Sequence, residues 1–222
     1  MTLENELPVG EHARAREALR EMLKAYSVRI TPDGSEPFLL ASGGFSRLYI
    51  NAKTTILHRE ATKHLASCLL AEIAPFRGID TVAGVALGGC HMASLVAMAS
   101  TFRGPLMPRF NVVYVRKSEK DHGTRQAVDR PFARRWGERV ILFEDVISTG
   151  ASVAHAVHAL RDEGYHIVEV VTLVDRRLSD EKSTLKGIEG LTVRSVFDLE
   201  SLGIDEETAR IDYPQVGYTI SR

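Results

Sequence analysis

The stretch Val140-Ile-Leu-Phe-Glu-Asp-Val-Ile-Ser-Thr-Gly-Ala-Ser152 decides how the rest of the 222-residue chain is interpreted. It opens with four apolar residues, a run that is typical of a strand buried on both faces of a parallel sheet. Two adjacent carboxylates, Glu144 and Asp145, stand where we expect that strand to end. Two more apolar residues lead into a run of small residues and then into a helical pattern. The order predicts a buried strand, a tight turn and a helix.

The small-residue run, Ser148-Thr-Gly-Ala-Ser152, is predicted to bind a phosphate group. A glycine-containing turn at a helix N-terminus directs several backbone N–H groups at one point, and hydroxyls and the helix dipole add to the attraction. Carboxylates directly before such a turn would repel a bare phosphate, but they can accept hydrogen bonds from sugar hydroxyls. The stretch therefore predicts a site for a ribose 5-phosphate. The alternative is a turn whose Ser or Thr only caps the helix, and the acidic pair at this spacing makes it the weaker interpretation.

The composition limits the classes of protein to which the chain can belong. The chain is 44% apolar and 26% charged, with a net charge of −1, which favours an ordinary folded enzyme and gives no overall basic field for nucleic acid or membrane. The N-terminus has neither a basic leader nor an apolar core, and no apolar run is long enough to span a bilayer. Cys68 and Cys90 lie in apolar segments, as expected for buried thiols in a reducing compartment. We therefore expect a cytoplasmic protein.

Strands and helices alternate along most of the chain, which predicts an α/β fold with a doubly wound, mainly parallel sheet. Two short strands around Pro32-Asp-Gly34 are expected to form a hairpin that folds as a small N-terminal hood. We expect one domain, 1–222, made of an N-terminal helix and hood (1–57) and a core (58–222). The predicted helices are 11–26, 58–73, 91–102, 151–163 and a short tail near 205–211, and the predicted strands are 28–30, 38–40, 48–51, 81–87, 111–115, 140–143, 167–174 and 191–197.

Two motifs carry a resemblance to a known family. The stretch 140–152 resembles the 5-phosphoribosyl 1-diphosphate (PRPP) signature of the type I phosphoribosyltransferases. A second stretch, Tyr114-Val-Arg-Lys-Ser-Glu-Lys-Asp-His-Gly123, is similar to the catalytic loop of the orotate phosphoribosyltransferases among them. The resemblance runs from about Gly43 to Arg176 and implies the type I phosphoribosyltransferase fold, with 58–222 as its PRPP-binding core.

The charged segment 116–138 has no clear periodicity, which indicates a functional loop. Arg116, Lys117 and Lys120 stand close together beside His122. Most charge runs are simply solvated, but a nearly neutral protein that binds a diphosphate needs local cations, and this is the densest group. The functional interpretation is therefore favoured here.

The pair Gly88-Gly89 separates a predicted strand from a predicted helix. Glycines at such a place allow the backbone to approach an anion closely, and the resemblance makes this the diphosphate loop. A tight turn that serves only helix–sheet packing explains the two glycines equally well, so the motif alone leaves both interpretations open.

The segment that follows Ser42-Gly43 departs from the family. Orotate phosphoribosyltransferases usually have two basic residues next, whereas this chain has Gly44 and Phe45, and it has Arg47 where proline is usual. Arg47 or Lys53 could replace the missing cation. The departure leaves open which base the protein accepts.

The resemblance implies a role for each matching residue. It implies transfer of the phosphoribosyl group of PRPP to orotate, with Mg²⁺ bound through PRPP, no dedicated metal ligands, and a homodimer that shares the Lys120 loop across subunits. Arg176 would pair with the base, although a surface ion pair with Asp175 or Asp180 is an alternative. The implied catalytic residues are Lys120, His122 and Asp145. The implied base-binding residues are Lys53, Ser148 and Arg176. The implied PRPP-binding residues are Gly88, Gly89, Arg116, Lys117, Lys120, His122, Glu144, Asp145, Val146, Ile147, Ser148, Thr149, Gly150, Ala151 and Ser152.

Two rival functions remain at this point. One is a phosphoribosyltransferase for another base, and the altered segment after Gly43 is its motive. The other is a PRPP-sensing regulator without transferase activity, which would normally carry a DNA-binding helix pair or a basic face. Neither feature is evident in the sequence.

Overall fold

The structure is a computed structural model of the chain. It describes residues 9–40, 42–102, 108–117, 127–131, 135–178 and 183–213. The helices are α1 (Val9–Tyr26), α2 (Lys53–Ile56), α3 (Arg59–Ile73), α4 (Gly88–Phe102), α5 (Ala151–Asp162) and α6 (Glu206–Ala209). The strands are β1 (Val28–Ile30), β2 (Phe38–Leu39), β3 (Phe45–Ser46), β4 (Leu48–Ile50), β5 (Thr81–Val85), β6 (Asn111–Val115), β7 (Val128–Asp129), β8 (Arg139–Ile147), β9 (His166–Asp175) and β10 (Val193–Asp198).

Six strands form one sheet in the order β10-β9-β8-β5-β6-β7. All neighbours are parallel except β7, which pairs antiparallel with β6 at the edge. Helices α1, α3 and α4 cover one face around buried side chains such as Phe143, and α5 covers the other around Leu142 and Val157. Apolar residues on both faces explain the unbroken apolar run of β8. The prediction of a doubly wound, mainly parallel α/β sheet is confirmed.

The central strand is longer than predicted. The ladder between β8 and β9 continues past the apolar run, with Glu144 opposite Thr172 and Ile147 opposite Asp175. The prediction that β8 ends before the acidic pair is therefore wrong. A carboxylate does not end a strand whose backbone groups still have partners on a long neighbour, so Glu144 and Asp145 lie inside β8.

Helix α4 begins earlier than predicted, at Gly88, so Gly88 and Gly89 form its first turn and not a separate turn before it. The reason is close backbone packing, because a side chain at Gly89 would place its Cβ 2.2 Å from the Phe143 carbonyl oxygen. A side chain at Gly84 in β5 would likewise meet the Gly89 carbonyl at 2.2 Å. Glycine at both places brings the N-terminus of α4 directly onto the sheet. The Ala86–Leu87 peptide bond just before it is cis.

The hood is paired differently from the prediction. β1 pairs antiparallel with β4, and β2 pairs antiparallel with β3, so the expected hairpin between β1 and β2 is wrong. Short strands carry little register information, and their partners are set by which segments the rest of the fold brings together. Helix α2, which follows β4, was not predicted. It is joined to the end of α1 by a hydroxyl contact of 2.6 Å between Ser27 and Thr55.

Candidate active site

The acidic pair lies at the carboxyl end of β8, the edge of a parallel sheet at which ligands bind in open α/β folds. Glu144 is 2% and Asp145 is 6% exposed. Asp145 accepts a hydrogen bond from the Val146 N–H at 3.1 Å through Oδ1, and its Oδ2 lies 3.4 Å from Lys53 Nζ. The core therefore presents a carboxylate to a cation that the N-terminal segment supplies.

The two carboxyl groups influence each other strongly. Burial raises the pKa of Glu144 well above its ordinary range, and the hydrogen bond and negative charge of Asp145 raise it further, while the nearby charge of Lys117 lowers it. Glu144 Oε2 is buried without a hydrogen-bond partner among the described residues. Burial and the neighbouring negative charge both favour the neutral form of Glu144. Glu144 can accordingly donate a hydrogen bond.

The turn between β8 and α5 leads directly into the N-terminus of α5. Gly150 is the N-cap of α5 with φ +85°, in the left-handed region that favours glycine. The Ala151 N–H donates to Thr149 Oγ1 at 3.3 Å. Ser148, Thr149 and Ser152 are half-buried. The predicted phosphate-binding turn is thus found directly after the acidic pair.

A second segment, residues 183–185, supports this turn from behind, and the sequence analysis did not identify it. The Thr149 carbonyl accepts two hydrogen bonds, from the backbone N–H and the hydroxyl of Thr184, both at 2.9 Å. Leu185 packs so closely that a side chain at Gly150 would place its Cβ 2.6 Å from Leu185 Cγ. Residues 183–185 therefore hold the backbone of the turn at Thr149 and Gly150.

That supporting segment is itself held to the end of β9. Arg177 makes a bidentate ion pair with Asp175, with Nη2 2.6 Å from Oδ2, and its Nη1 donates to Ser183 Oγ at 3.4 Å. A bidentate arginine fixes direction as well as distance. No motif in the sequence predicts this arrangement, because only the fold brings residues 183–185 against the end of β9.

Gly88 is the point at which the predicted diphosphate segment meets the acidic pair. A side chain at Gly88 would place its Cβ 2.4 Å from both Cγ and Oδ2 of Asp145. The first residue of α4 and the carboxylate of β8 therefore touch, and the open N–H groups of the helix lie beside the acidic pair. The predicted diphosphate segment and the stretch 140–152 therefore meet at Asp145.

The charged loop after β6 is only partly described. Arg116 pairs with Asp129 across the β6–β7 edge, and Lys117 is exposed and close enough to influence Glu144. The predicted catalytic residues Lys120 and His122 lie outside the described residues. The structure therefore brings Lys117 to the acidic pair, whereas the Arg116 guanidinium is engaged with Asp129.

On the hood side, the two candidate replacements for the missing cation differ. The Arg47 guanidinium donates to the Thr31 carbonyl and pairs with Asp33, so it belongs to the turn after β1. Lys53, by contrast, reaches Asp145 with a side chain that is 48% exposed. Lys53 alone of the two contacts the acidic pair.

Arg176 lies directly after β9 and is 4% exposed. Its guanidinium donates to the carbonyls of Leu48 and Ala209 and to Ser46 Oγ, at 3.1 to 3.2 Å. Its Nε is buried without a partner, and none of the described carboxylates pairs with it. Because Asp175 pairs instead with Arg177, the alternative of an Arg176–Asp175 surface ion pair is wrong. Asp180 lies outside the described residues.

Membrane-spanning helices and clustered metal ligands are both absent from the part of the chain that the structure describes. None of the helices there is long and apolar enough to cross a membrane. No group of three or more His, Cys, Asp and Glu side chains that could hold a metal ion occurs within those ranges.

Comparison with known proteins agrees with this geometry. Residues 54–198 match the model of the phosphoribosyl transferase domain. The orotate phosphoribosyltransferase of Sorangium cellulosum is 40% identical over 138 residues, which cover 62% of this chain and 70% of the relative. The Synechocystis orotate phosphoribosyltransferase is 31% identical over 188 residues, with 84% and 88% covered.

A solved structure shares the fold. The crystal structure of Mycobacterium tuberculosis orotate phosphoribosyltransferase in complex with PRPP superposes with a TM-score of 0.63 at 27% identity, and the match covers 86% of this chain and 99% of that one. The matched region includes β5, β8, β9 and the turn before α5. The chain therefore belongs to the phosphoribosyltransferase family, and within it to the orotate phosphoribosyltransferases.

Proposed function

We propose that this chain transfers the 5-phosphoribosyl group of PRPP to orotate, giving orotidine 5′-monophosphate and diphosphate. The bond between the anomeric carbon and the diphosphate oxygen breaks, and its electron pair leaves on the diphosphate. Orotate N1 forms the new bond to the anomeric carbon, and the N1 proton is released. Positive charge builds on the ribose during this exchange, as in glycoside chemistry.

One observation carries the proposal: Asp145 lies between the first residue of α4 and Lys53 of the hood, three residues before the turn that opens α5. A ligand bound around Asp145 has the N-terminus of α4 at one end, the N-terminus of α5 at the other, and the Asp145 carboxylate in the middle. PRPP has the matching order of groups, with a diphosphate, a ribose and a 5-phosphate. Helix N-termini bind phosphates, and carboxylates accept hydrogen bonds from sugar hydroxyls.

The roles follow from this placement. The turn 148–152 holds the 5-phosphate, and Glu144 and Asp145 hold the ribose hydroxyls through hydrogen bonds. The first turn of α4, with Gly88 and Gly89, approaches the diphosphate together with Lys117. Their contribution is positioning and stabilisation of developing charge, because the reaction requires no covalent intermediate.

The acceptor base belongs beside Arg176. A buried guanidinium without a carboxylate partner is costly, and the carboxylate of orotate supplies the missing negative charge. Its free Nε is suited to such a partner. The Arg176 N–H donates to the Ile147 carbonyl, next to Ser148, and Lys53 reaches Asp145 two residues earlier in β8. This proximity along β8 supports the assignment of Lys53 and Ser148 to base binding.

Three further properties belong to the proposal. Mg²⁺ bound with PRPP would offset the negative charge of the diphosphate, and the carboxylate of Asp145 is the described group best placed to help hold it. The chain acts as a homodimer in which the Lys120 loop serves the neighbouring subunit, as the family resemblance implies. The two free cysteines, Cys68 and Cys90, support a cytoplasmic location, because free thiols are typical of reducing compartments.

A second candidate is a phosphoribosyltransferase for another base. Gly44 and Phe45, in place of the usual basic pair, favour it because they remove a cation that would help to fix an anionic base. The fold alone does not discriminate, since yeast adenine phosphoribosyltransferase also superposes, with a TM-score of 0.57 at 19% identity.

Diphosphate release with PRPP and Mg²⁺ tests the proposal against a panel of orotate, uracil, hypoxanthine and adenine. We expect turnover with orotate and background rates with the others. Preference for a purine would replace orotate by the second candidate, and no release with any base would overturn the transferase function.

The loop assignment has its own test. Lys120→Ala should lower kcat by about 10²-fold, the loss typical of one charge-stabilising donor, while the unfolding temperature stays unchanged. Turnover equal to that of the wild type would remove Lys120 from the catalytic residues.

A further inference from the structure

The end of the described chain, residues 211–213, lies against the hood as a short strap. The Phe45 N–H donates to the Asp212 carbonyl at 2.7 Å, and the Asp212 N–H donates to the Phe45 carbonyl at 2.8 Å. The two segments thus form an antiparallel bridge. This bridge fixes the backbone of the strap to β3, directly before the residue that contacts Arg176.

Gly44 is the reason that the strap comes so close. A side chain at Gly44 would place its Cβ 2.4 Å from Ile211 Cγ2 and 3.0 Å from Cε1 of the Tyr213 ring. Gly44 stands where related enzymes usually carry one of two basic residues, according to the resemblance noted above. A lysine or arginine at this position and the strap exclude each other here. The strap occupies the space of the missing basic side chain.

The same strap reaches the arginine assigned to the base. Arg176 Nη2 donates to Ser46 Oγ, two residues after Gly44, and to the Ala209 carbonyl, two residues before Ile211. Tyr213 is the next residue after the Asp212–Phe45 bridge, and Phe45 is the neighbour of Ser46. Tyr213 is 55% exposed, so part of its ring remains open beside Gly44. The Tyr213 ring beside Gly44 and the buried Arg176 guanidinium are therefore connected through the same two segments, the strap and β3.

We infer that Tyr213 is a specificity-determining residue for the acceptor base, and that the strap replaces the basic pair of related enzymes. The ring stacks on or against the planar base, while Arg176 takes the anionic substituent. The ligand class is a planar heteroaromatic base that carries a carboxylate. This inference rests on the proposed function, and it concerns only the base half of the nucleotide.

Calorimetric binding of two ligands separates the base half from the sugar-phosphate half. Orotidine 5′-monophosphate contains both halves, and ribose 5-phosphate lacks the base. We expect Tyr213→Ala to weaken nucleotide binding by about tenfold or more and to leave ribose 5-phosphate binding within about twofold. Tyr213→Phe keeps the ring and loses the hydroxyl, so it should retain most of the affinity. Tyr26→Ala, an exposed tyrosine at the end of α1, is the matched control and should change neither.

The possible results distinguish failure of the proposed function from failure of the role assigned to Tyr213. A wild-type chain that binds no nucleotide and releases no diphosphate from PRPP with orotate would overturn the proposed function and this inference with it. A wild-type chain that binds and turns over, with equal weakening of both ligands in Tyr213→Ala, would make the strap a structural support only. Unchanged nucleotide binding in Tyr213→Ala would equally remove Tyr213 from the base pocket.

Discussion

At the scale of single residues, Gly88 is where the first turn of α4 touches Asp145 of β8. Its backbone φ is not in the left-handed region, so alanine fits the conformation, and the obstacle is the Asp145 carboxylate at 2.4 Å from the new Cβ. We expect Gly88→Ala to displace that carboxylate from Lys53 and from the ribose. The KM for PRPP should rise by about tenfold or more, which corresponds to a loss of about 1.4 kcal/mol in binding.

The control for Gly88→Ala is Gly10→Ala. Gly10 lies in α1, and a Cβ there meets nothing within 4 Å, so the change should leave the KM unaltered and stabilise the helix by up to about 1 kcal/mol. Steady-state kinetics and thermal unfolding of both variants measure the contrast. An unaltered KM for PRPP in Gly88→Ala would remove the first turn of α4 from the PRPP site.

Glu144 makes stability depend on pH in a defined direction. Because its pKa is raised in the folded state, the native protein binds more protons than the unfolded chain once the pH exceeds the ordinary glutamate range of about 4.3. The free energy of unfolding therefore falls as the pH rises towards the folded-state pKa. Glu144→Gln stays neutral at every pH, so its stability relative to the wild type should increase from pH 5 to pH 8.

Urea unfolding at the two pH values measures this difference. Glu200→Gln, a change at an exposed position, should leave the pH dependence as in the wild type. Parallel curves for Glu144→Gln and the wild type would mean that the pKa of Glu144 is not raised in the folded protein.

At the scale of elements, the sequence predicted the sheet well because strand and helix periods are local properties. Strand β6 was predicted with its observed bounds, and α3 with one residue more, His58, which proves to be its N-cap. The end of β8 and the start of α4 were missed because both depend on neighbours: β9 extends the ladder past Glu144, and Phe143 needs Gly89 beside it. For the candidate site, likewise, local motifs were predicted from the sequence, whereas contacts between distant segments were not.

The contacts within the site that join distant parts of the chain were not predictable. The turn between β8 and α5 was predicted from its own residues, whereas the support of Thr149 by Thr184, 35 residues later, leaves no periodic pattern. The link between Lys53 and Asp145 spans 92 residues. Such pairs arise from the topology of the sheet, which brings strand ends together regardless of their separation in sequence.

The support of the phosphate turn gives a prediction for the element that carries it. Thr184→Val removes the hydroxyl that donates to the Thr149 carbonyl at 2.9 Å but keeps the backbone N–H bond. Loss of one hydrogen bond amounts to about 1 kcal/mol, so the KM for PRPP should rise by about fivefold with kcat little changed. Thr192→Val, at an exposed position before β10, is the control. Equal kinetics in the two variants would show that the turn holds its shape without Thr184.

At the scale of the whole molecule, Arg176 joins three parts of the chain. Its backbone N–H donates to the Ile147 carbonyl at the end of β8, and its guanidinium reaches Leu48 in the hood and Ala209 in α6. Core, hood and C-terminal segment therefore converge on one buried cation. Such a cation has structural partners that are all neutral, so the charge itself remains available for an anionic ligand.

Arg176→Lys separates the structural contacts from the ligand contact. Lysine keeps the charge but cannot reach several acceptors in a fixed fork, so the free energy of unfolding should fall by about 1–3 kcal/mol as carbonyls lose their partners. The KM for orotate should rise by about tenfold or more, whereas the KM for PRPP should stay within about twofold because the phosphate turn and the acidic pair are untouched. Arg210→Lys, a change of an exposed arginine in the adjacent segment, should alter stability by less than about 0.5 kcal/mol and neither KM. If both KM values rise equally in Arg176→Lys, the arginine only holds the hood to the core, and the carboxylate of the base must be bound elsewhere.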